Sequence, residues 1–185
     1  MNWAVFLDRD GVINEEVEYL HSPEQLRMIP HAAQAIRKLN ERAIPVIVVT
    51  NQAGIARGYF SEAQVVVVHH ALAALLNQAG AHVDRFYYCP HHPTEGFLPY
   101  RVQCSCRKPQ PGLLFQAAKD LNLELSHCYL IGDKVSDLEA GWHAGCQTIL
   151  VQTGYGAQVW QEWSETFQPR RVARDLLDAV EWILG

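Results

Sequence analysis

Trp3-Ala4-Val5-Phe6-Leu7-Asp8-Arg9-Asp10-Gly11 is the stretch that decides how this chain folds. Its apolar run reads as a buried strand that stops abruptly in a polar, turn-forming segment. Two carboxylates one residue apart at a strand end can be aimed at one point, and negative charge concentrated there calls for a cation. One carboxylate can attack an electrophile while the other moves a proton. Taken alone, an Asp-x-Asp pair is more often a solvated turn, so the remaining sequence has to carry the reading.

Strand-like and helix-like segments alternate after this point. Further strands are expected at Pro45–Thr50, Arg85–Cys89, Cys128–Ile131 and Thr148–Gln152. Helices are expected from about Pro30 to Arg42, Ser61 to Gln78, Pro111 to Leu121, Ser136 to Ala144 and Asp175 to Leu184. Ser22-Pro23-Glu24-Gln25 has the form of a helix start. Ser61 and Gln64 are spaced as a capping box, and the Ala/Leu-rich continuation makes the Val65–Val68 run helical. The alternation predicts an α/β fold, a Rossmann-like three-layer sandwich with a mainly parallel sheet. In such sheets ligands bind beyond the carboxyl ends of the strands. Asp8 and Asp10, Thr50 and Asn51, and Asp133 all fall at such ends.

The 185 residues, 49% hydrophobic and 19% charged, suit one domain spanning 1–185. A formal charge of −5 without a basic stripe speaks against nucleic acid. No apolar run approaches the roughly 20 residues needed to span a bilayer, and no signal-like segment precedes the first strand. No membrane association and a cytoplasmic location are therefore expected. In that compartment five cysteines are metal ligands or buried thiols rather than disulfides.

Asp8, Asp10, Thr50, Lys108, Asp133 and Asp137 form a chemically complementary set. Mg²⁺ takes hard oxygen ligands. Asp8 and Asp133 can supply carboxylates and Asp10 its backbone carbonyl, while Asp137 can hold a metal-bound water or orient Lys134. Thr50 and Asn51 can donate to phosphoryl oxygens, and Lys108 adds a full positive charge. Between the third strand and the next helix lies a Pro-rich loop, long enough to require a reason. Cys89, Cys104 and Cys106 flank it, with His91 or His92 as a fourth ligand, a set suited to structural Zn²⁺ at about residues 89–107. Arg107 and Lys108 follow the last cysteine directly, so such a site would fix where both cations point. Cys128 and Cys146 read as core residues, and His69 and His70 give no clear catalytic signal.

Asp8-Arg9-Asp10-Gly11, Val49-Thr50-Asn51, Lys108-Pro109 and Gly132-Asp133-x-x-x-Asp137, in that order, resemble the four motifs of the haloacid dehalogenase superfamily of phosphotransferases. Thr50-Asn51-Gln52-Ala53-Gly54-Ile55-Ala56-Arg57-Gly58, with Cys89-x-His91 and Cys104-x-Cys106-Arg107-Lys108-Pro109, is similar to the D-glycero-D-manno-heptose 1,7-bisphosphate 7-phosphatases within it. Histidinol-phosphate phosphatases are close relatives with the same zinc pattern. The resemblance implies a nearly capless Mg²⁺-dependent phosphatase in which Asp8 is the nucleophile and Asp10 the general acid and base. It implies phosphoryl stabilisation by Thr50 and Lys108. It selects His91 as the fourth zinc ligand. Glu16, Val17, Glu18, Tyr19, Asn51, Gln52, Ala53, Arg107 and Lys134 are the implied substrate contacts, Arg107 toward a distal phosphate. The family often has Ser where this chain has Ala53. The expected partner is a small phosphorylated sugar met by a monomer; histidinol phosphate and a noncatalytic zinc-stabilised module are the alternatives.

Overall fold

The computed structural model describes residues 2–185. Its strands are β1 (Val5–Leu7), β2 (Val46–Asn51), β3 (Arg85–Cys89), β4 (Tyr129–Gly132), β5 (Gln147–Val151) and β6 (Arg171–Ala173). They form one sheet in the order β3-β2-β1-β4-β5-β6, and every neighbouring pair is parallel. The helices are α1 (Ala32–Glu41), α2 (Glu62–Gln78), α3 (Gly112–Leu121), α4 (Val135–Ala144), α5 (Gly156–Gln161) and α6 (Leu176–Leu184).

The period-2 alternation of the strands divides the core into two layers. Val5 and Leu7 of β1, with Val46 and Val48 of β2, pack against Ile36 and Leu39 of α1, Leu72 and Leu76 of α2, and Val180 of α6. Phe6, Ile47 and Val49 face the other way, onto Leu113, Leu114 and Ala117 of α3 and Ala140 of α4. Both faces of the central strands are covered, which is why β1 and β2 read as unbroken apolar runs rather than alternating ones.

Local signals hold where they rest on hydrogen bonds. The Ser61 hydroxyl accepts from the Gln64 N–H at 3.3 Å, and the Gln64 side chain accepts from the Ser61 N–H at 2.9 Å. Gly145 ends α4 in the left-handed conformation, φ 80°. The start at Ser22 differs: it gives a single 3₁₀ turn, Pro23–Gln25, and no longer helix. The chain order places β1 in the middle of the sheet, with β2 on one side and β4 on the other. The strand order therefore reverses beside β1, and that switch point is where the carboxyl ends open. Among the described residues no helix is long and apolar enough to cross a membrane.

Candidate active site

Asp8 leaves the end of β1 buried, only 4% of the residue exposed. Its Oδ1 accepts from the Arg9 N–H at 2.8 Å and lies 3.0 Å from Lys108 Nζ. Lys108 also reaches Asp137 at 2.7 Å and donates to the Val49 carbonyl at 2.7 Å. A fully buried ammonium is thus shared by two carboxylates. Burial alone would lower its pKa, but Asp137 and Asp8 raise it above the usual lysine value.

The carboxylates of Asp8, Asp133 and Asp137 offer oxygens within 4.8 Å of one another. Asp133 Oδ2 accepts from the Tyr155 N–H at 2.9 Å, while Oδ1 is buried with no hydrogen-bond partner. Burial, then Asp137 and Asp8, push the Asp133 pKa to about 8; burial and Asp137 push Asp8 to about 6. An orphaned buried oxygen among crowded acids is the environment a divalent cation neutralises, so these residues fit Mg²⁺. Gly11 (φ +84°) and Gly154 (φ +56°) close over Asp133, and a Cβ at either position would run into its carboxylate.

Asp10 stands outside that cluster. Its Oδ1 accepts from Asn14 at 2.9 Å and its Oδ2 from Gln52 at 3.1 Å. The fully buried Arg9 donates to both oxygens, at 2.9 and 2.8 Å. Burial would raise the Asp10 pKa, but the Arg9 charge and these hydrogen bonds bring it below the usual carboxylate value. Its carboxyl therefore lies apart from the Asp8, Asp133 and Asp137 carboxylates.

The other expected residues fall into place unevenly. Thr50 is buried at the end of β2, and its Oγ1 accepts from Gln52 at 2.9 Å. Asn51 lines the cleft, but its side-chain amide clasps the Lys108 backbone: Nδ2 donates to the carbonyl and Oδ1 accepts from the N–H, both at 3.0 Å. Lys134 lies 2.9 Å from Glu16 and 5.0 Å above the Tyr155 ring, whereas Asp137 accepts from the Lys134 N–H and spends its charge on Lys108. Glu16, Glu18, Tyr19, Gln52, Ala53 and Lys134 share the wall of a cleft of about 360 Å³. Val17 leaves this group and packs against the core. Arg107 lines a second cleft with Asp8, Thr50 and Lys108, and donates to the His91 carbonyl at 3.2 Å.

Cys89, His91, Cys104 and Cys106 converge beside this cleft. The Cys106 sulfur is 3.0 Å from that of Cys89, 3.3 Å from that of Cys104 and 3.4 Å from His91 Nδ1. All are free thiols, since a disulfide needs about 2.05 Å. His92 turns away, its Nδ1 2.9 Å from the Glu95 N–H. Cys128 and Cys146 are buried in the apolar core.

Arg9, Asn14 and Tyr155 are site residues that the sequence reading passes over. Asn14 follows Asp10 by four residues and bends back onto it. A long charged side chain flanked by two acids in an otherwise apolar context was the available sign for Arg9. Tyr155 gives no sign, since a loop far along the chain brings it to Asp133.

A buried carboxylate at the end of the central strand, a shared lysine, a crowded acid set and a strand-end hydroxyl define an aspartate-based phosphotransferase site. The comparisons agree with that class. A haloacid dehalogenase-like hydrolase model matches residues 5–65 and a HAD-hydrolase-like model residues 105–179. The D-glycero-D-manno-heptose-1,7-bisphosphate 7-phosphatase of Thermosynechococcus vestitus is 45% identical, over 97% of this chain and 94% of its own. The D-glycero-beta-D-manno-heptose-1,7-bisphosphate 7-phosphatase of Pasteurella multocida is 44% identical, over 83% of this chain and 84% of its own. A crystal structure of D,D-heptose 1,7-bisphosphate phosphatase from B. bronchiseptica, complexed with magnesium and phosphate, superposes with a TM-score of 0.89. It is 35% identical and covers 100% of this chain and 98% of that one. The chain belongs to the heptose-1,7-bisphosphate 7-phosphatase family of haloacid dehalogenase-like hydrolases.

Proposed function

We propose that this protein is a Mg²⁺-dependent phosphatase that removes the 7-phosphate of D-glycero-D-manno-heptose 1,7-bisphosphate. One observation carries the reading: Asp8 is held by Lys108 and the Arg9 N–H at the open edge of the sheet, beside a separately held Asp10. Full-length similarity to relatives of that activity supplies the substrate.

In the first half-reaction an Asp8 oxygen attacks phosphorus in line, the P–O bond to the sugar breaks, and Asp10 gives the leaving oxygen its proton. The resting Asp10 is ionised, so it takes up this proton as the anionic substrate settles beside it and raises its proton affinity. In the second half-reaction Asp10 removes a proton from water. That water attacks phosphorus, breaks the acyl–phosphate bond and returns Asp8 and inorganic phosphate. Thr50 and Lys108 meet the equatorial oxygens. Asp8, Asp133 and the Asp10 carbonyl would hold Mg²⁺, which would supply charge neutralisation at the phosphoryl group. Arg107 receives the distal phosphate, for which a guanidinium fork is suited.

Cys89, His91, Cys104 and Cys106 would hold Zn²⁺ tetrahedrally and leave no ligand position for water. Its effect is to staple the 90–111 loop that carries Arg107 and Lys108. Thiolates in that role suit a reducing, cytoplasmic compartment.

The test is phosphate release from the bisphosphate with and without Mg²⁺, with ³¹P NMR of the product and histidinol phosphate as competitor. The 1-phosphate product, made only with Mg²⁺, is expected. Release of the 1-phosphate instead, or histidinol phosphate preferred by orders of magnitude, rejects the substrate assignment.

A further inference from the structure

His69 is 5% exposed on α2 and is not among the residues lining either cleft. Its ring stacks on Phe86 of β3, centroids 4.7 Å apart and planes 22° apart, and meets the edge of Tyr88 at 6.0 Å. Its Nε2 lies 3.2 Å from Arg9 Nη1. The same guanidinium places Nη2 on both Asp10 oxygens and Nε on Oδ1 at 3.1 Å. A guanidinium has donors only. Nε2 must therefore be the acceptor, which makes His69 neutral with its proton on Nδ1. Burial and the neighbouring Arg9 charge push its pKa to about 3, so this form persists near neutrality.

We propose that His69 is a positioning residue for Asp10, fixing the plane of the Arg9 guanidinium that aims the acid–base carboxylate. The inference rests on the reading of Asp10 as acid and base, and adds to it a part drawn from another layer of the fold. The guanidinium is flat, so anchoring Nη1 at one end sets the direction of Nη2 and Nε at the other. The Phe86 face keeps the imidazole from swinging away. Without an acceptor at position 69, a buried Nη1 donor is left unpaired, and the guanidinium turns to satisfy it. Asn14 and Gln52 still hold Asp10 from other directions, so the loss is partial. Because Asp10 acts on the leaving oxygen and the water rather than on bound phosphate, the defect belongs in kcat.

The experiment is steady-state hydrolysis of the sugar bisphosphate with Mg²⁺. His69→Leu is expected to lower kcat about tenfold with KM within about twofold, and His69→Gln, which keeps an acceptor, to recover to within about threefold of the parent. A parental kcat in His69→Leu, or equal losses in both variants, overturns the proposal. A second measurement needs no variant: ring ¹⁵N NMR of the parent should show His69 neutral with Nε2 unprotonated, and a proton on Nε2 overturns it. An indifferent Asp8→Asn would instead reject the phosphatase reading itself. Loss of activity in Asp8→Asn with an indifferent His69→Leu rejects the role of His69 alone.

Discussion

At the scale of single residues the site separates two carboxylates that stand one residue apart in sequence. Asp8 sits among acids and is pushed up to about 6 by burial and Asp137, while Asp10, against Arg9, is drawn down. Groups with opposed environments take opposed roles. Asp133 offers a direct check. Its folded pKa, about 8, lies above its ordinary value of 3.8, so the metal-free native state binds the extra proton. Its contribution to stability is present below about pH 4 and is lost as pH rises through about 8. Asp133→Asn is expected to be more stable than the metal-free parent at pH 8, on the order of a few kcal/mol, with the gain vanishing near pH 4. Urea titrations at both pH values measure this. At Arg107 the expectation concerns substrate: Arg107→Ala raises KM for the bisphosphate about tenfold or more and leaves simple phosphomonoesters almost unaffected. An equal effect on both would remove the distal-phosphate role. Asp8, Thr50, Lys108 and Asp133 could be read from the sequence because each ends a strand or follows a cysteine pair. Asn51 was legible as a site residue but not in its job, since only the fold shows its amide spent on Lys108. Arg9 and His69 meet across sixty positions, and no local pattern encodes that packing.

Among the elements, the three loops expected to meet the substrate are tied together by side chains. Arg57 donates to the Tyr19 hydroxyl and pairs with Glu95 at 3.0 Å, linking the 53–60 loop to the 15–21 loop and to the 90–111 loop. The Phe97 N–H donates to the Ala56 carbonyl at 3.0 Å, and Glu62 accepts from Tyr88 and Tyr100 at 2.7 Å each. The four-ligand cluster closes the base of the longest loop. Chelating the zinc proposed for it is expected to speed hydrogen exchange across residues 90–107 while β1, β2 and β4 keep their protection. It is also expected to lower kcat/KM, because Arg107 and Lys108 begin where the cluster ends. Unchanged exchange in the loop would deny the stapling role. The sequence named every long helix and five strands within a residue or two, because their periodicity extends over several turns or apolar pairs. It missed α5, whose six residues are too short to show a period, and β6, whose Arg171-Val172-Ala173 offers no apolar run of the kind that marks β1.

For the molecule as a whole, the parallel sheet brings the ends of β1, β2 and β4 to one edge, and chain order alone puts the reversal there. That geometry gathers Asp8, Asp10, Thr50, Lys108 and Asp137 around one cleft. Asp8 and Asp10 directly follow β1 and Thr50 lies at the end of β2, whereas Lys108 and most of the groups expected to read the sugar sit on loops. The most direct measurement is trapping of the covalent intermediate. Asp10→Asn is mixed with a phosphomonoester of good leaving group and Mg²⁺, quenched in acid and digested, and the peptides are weighed. A phosphoryl group is expected on the peptide carrying Asp8, and none when Asp8→Asn is added to the same variant. Phosphate released in a normal burst with no phosphorylated Asp8 peptide, or label that persists in the double variant, contradicts an aspartyl-phosphate at Asp8.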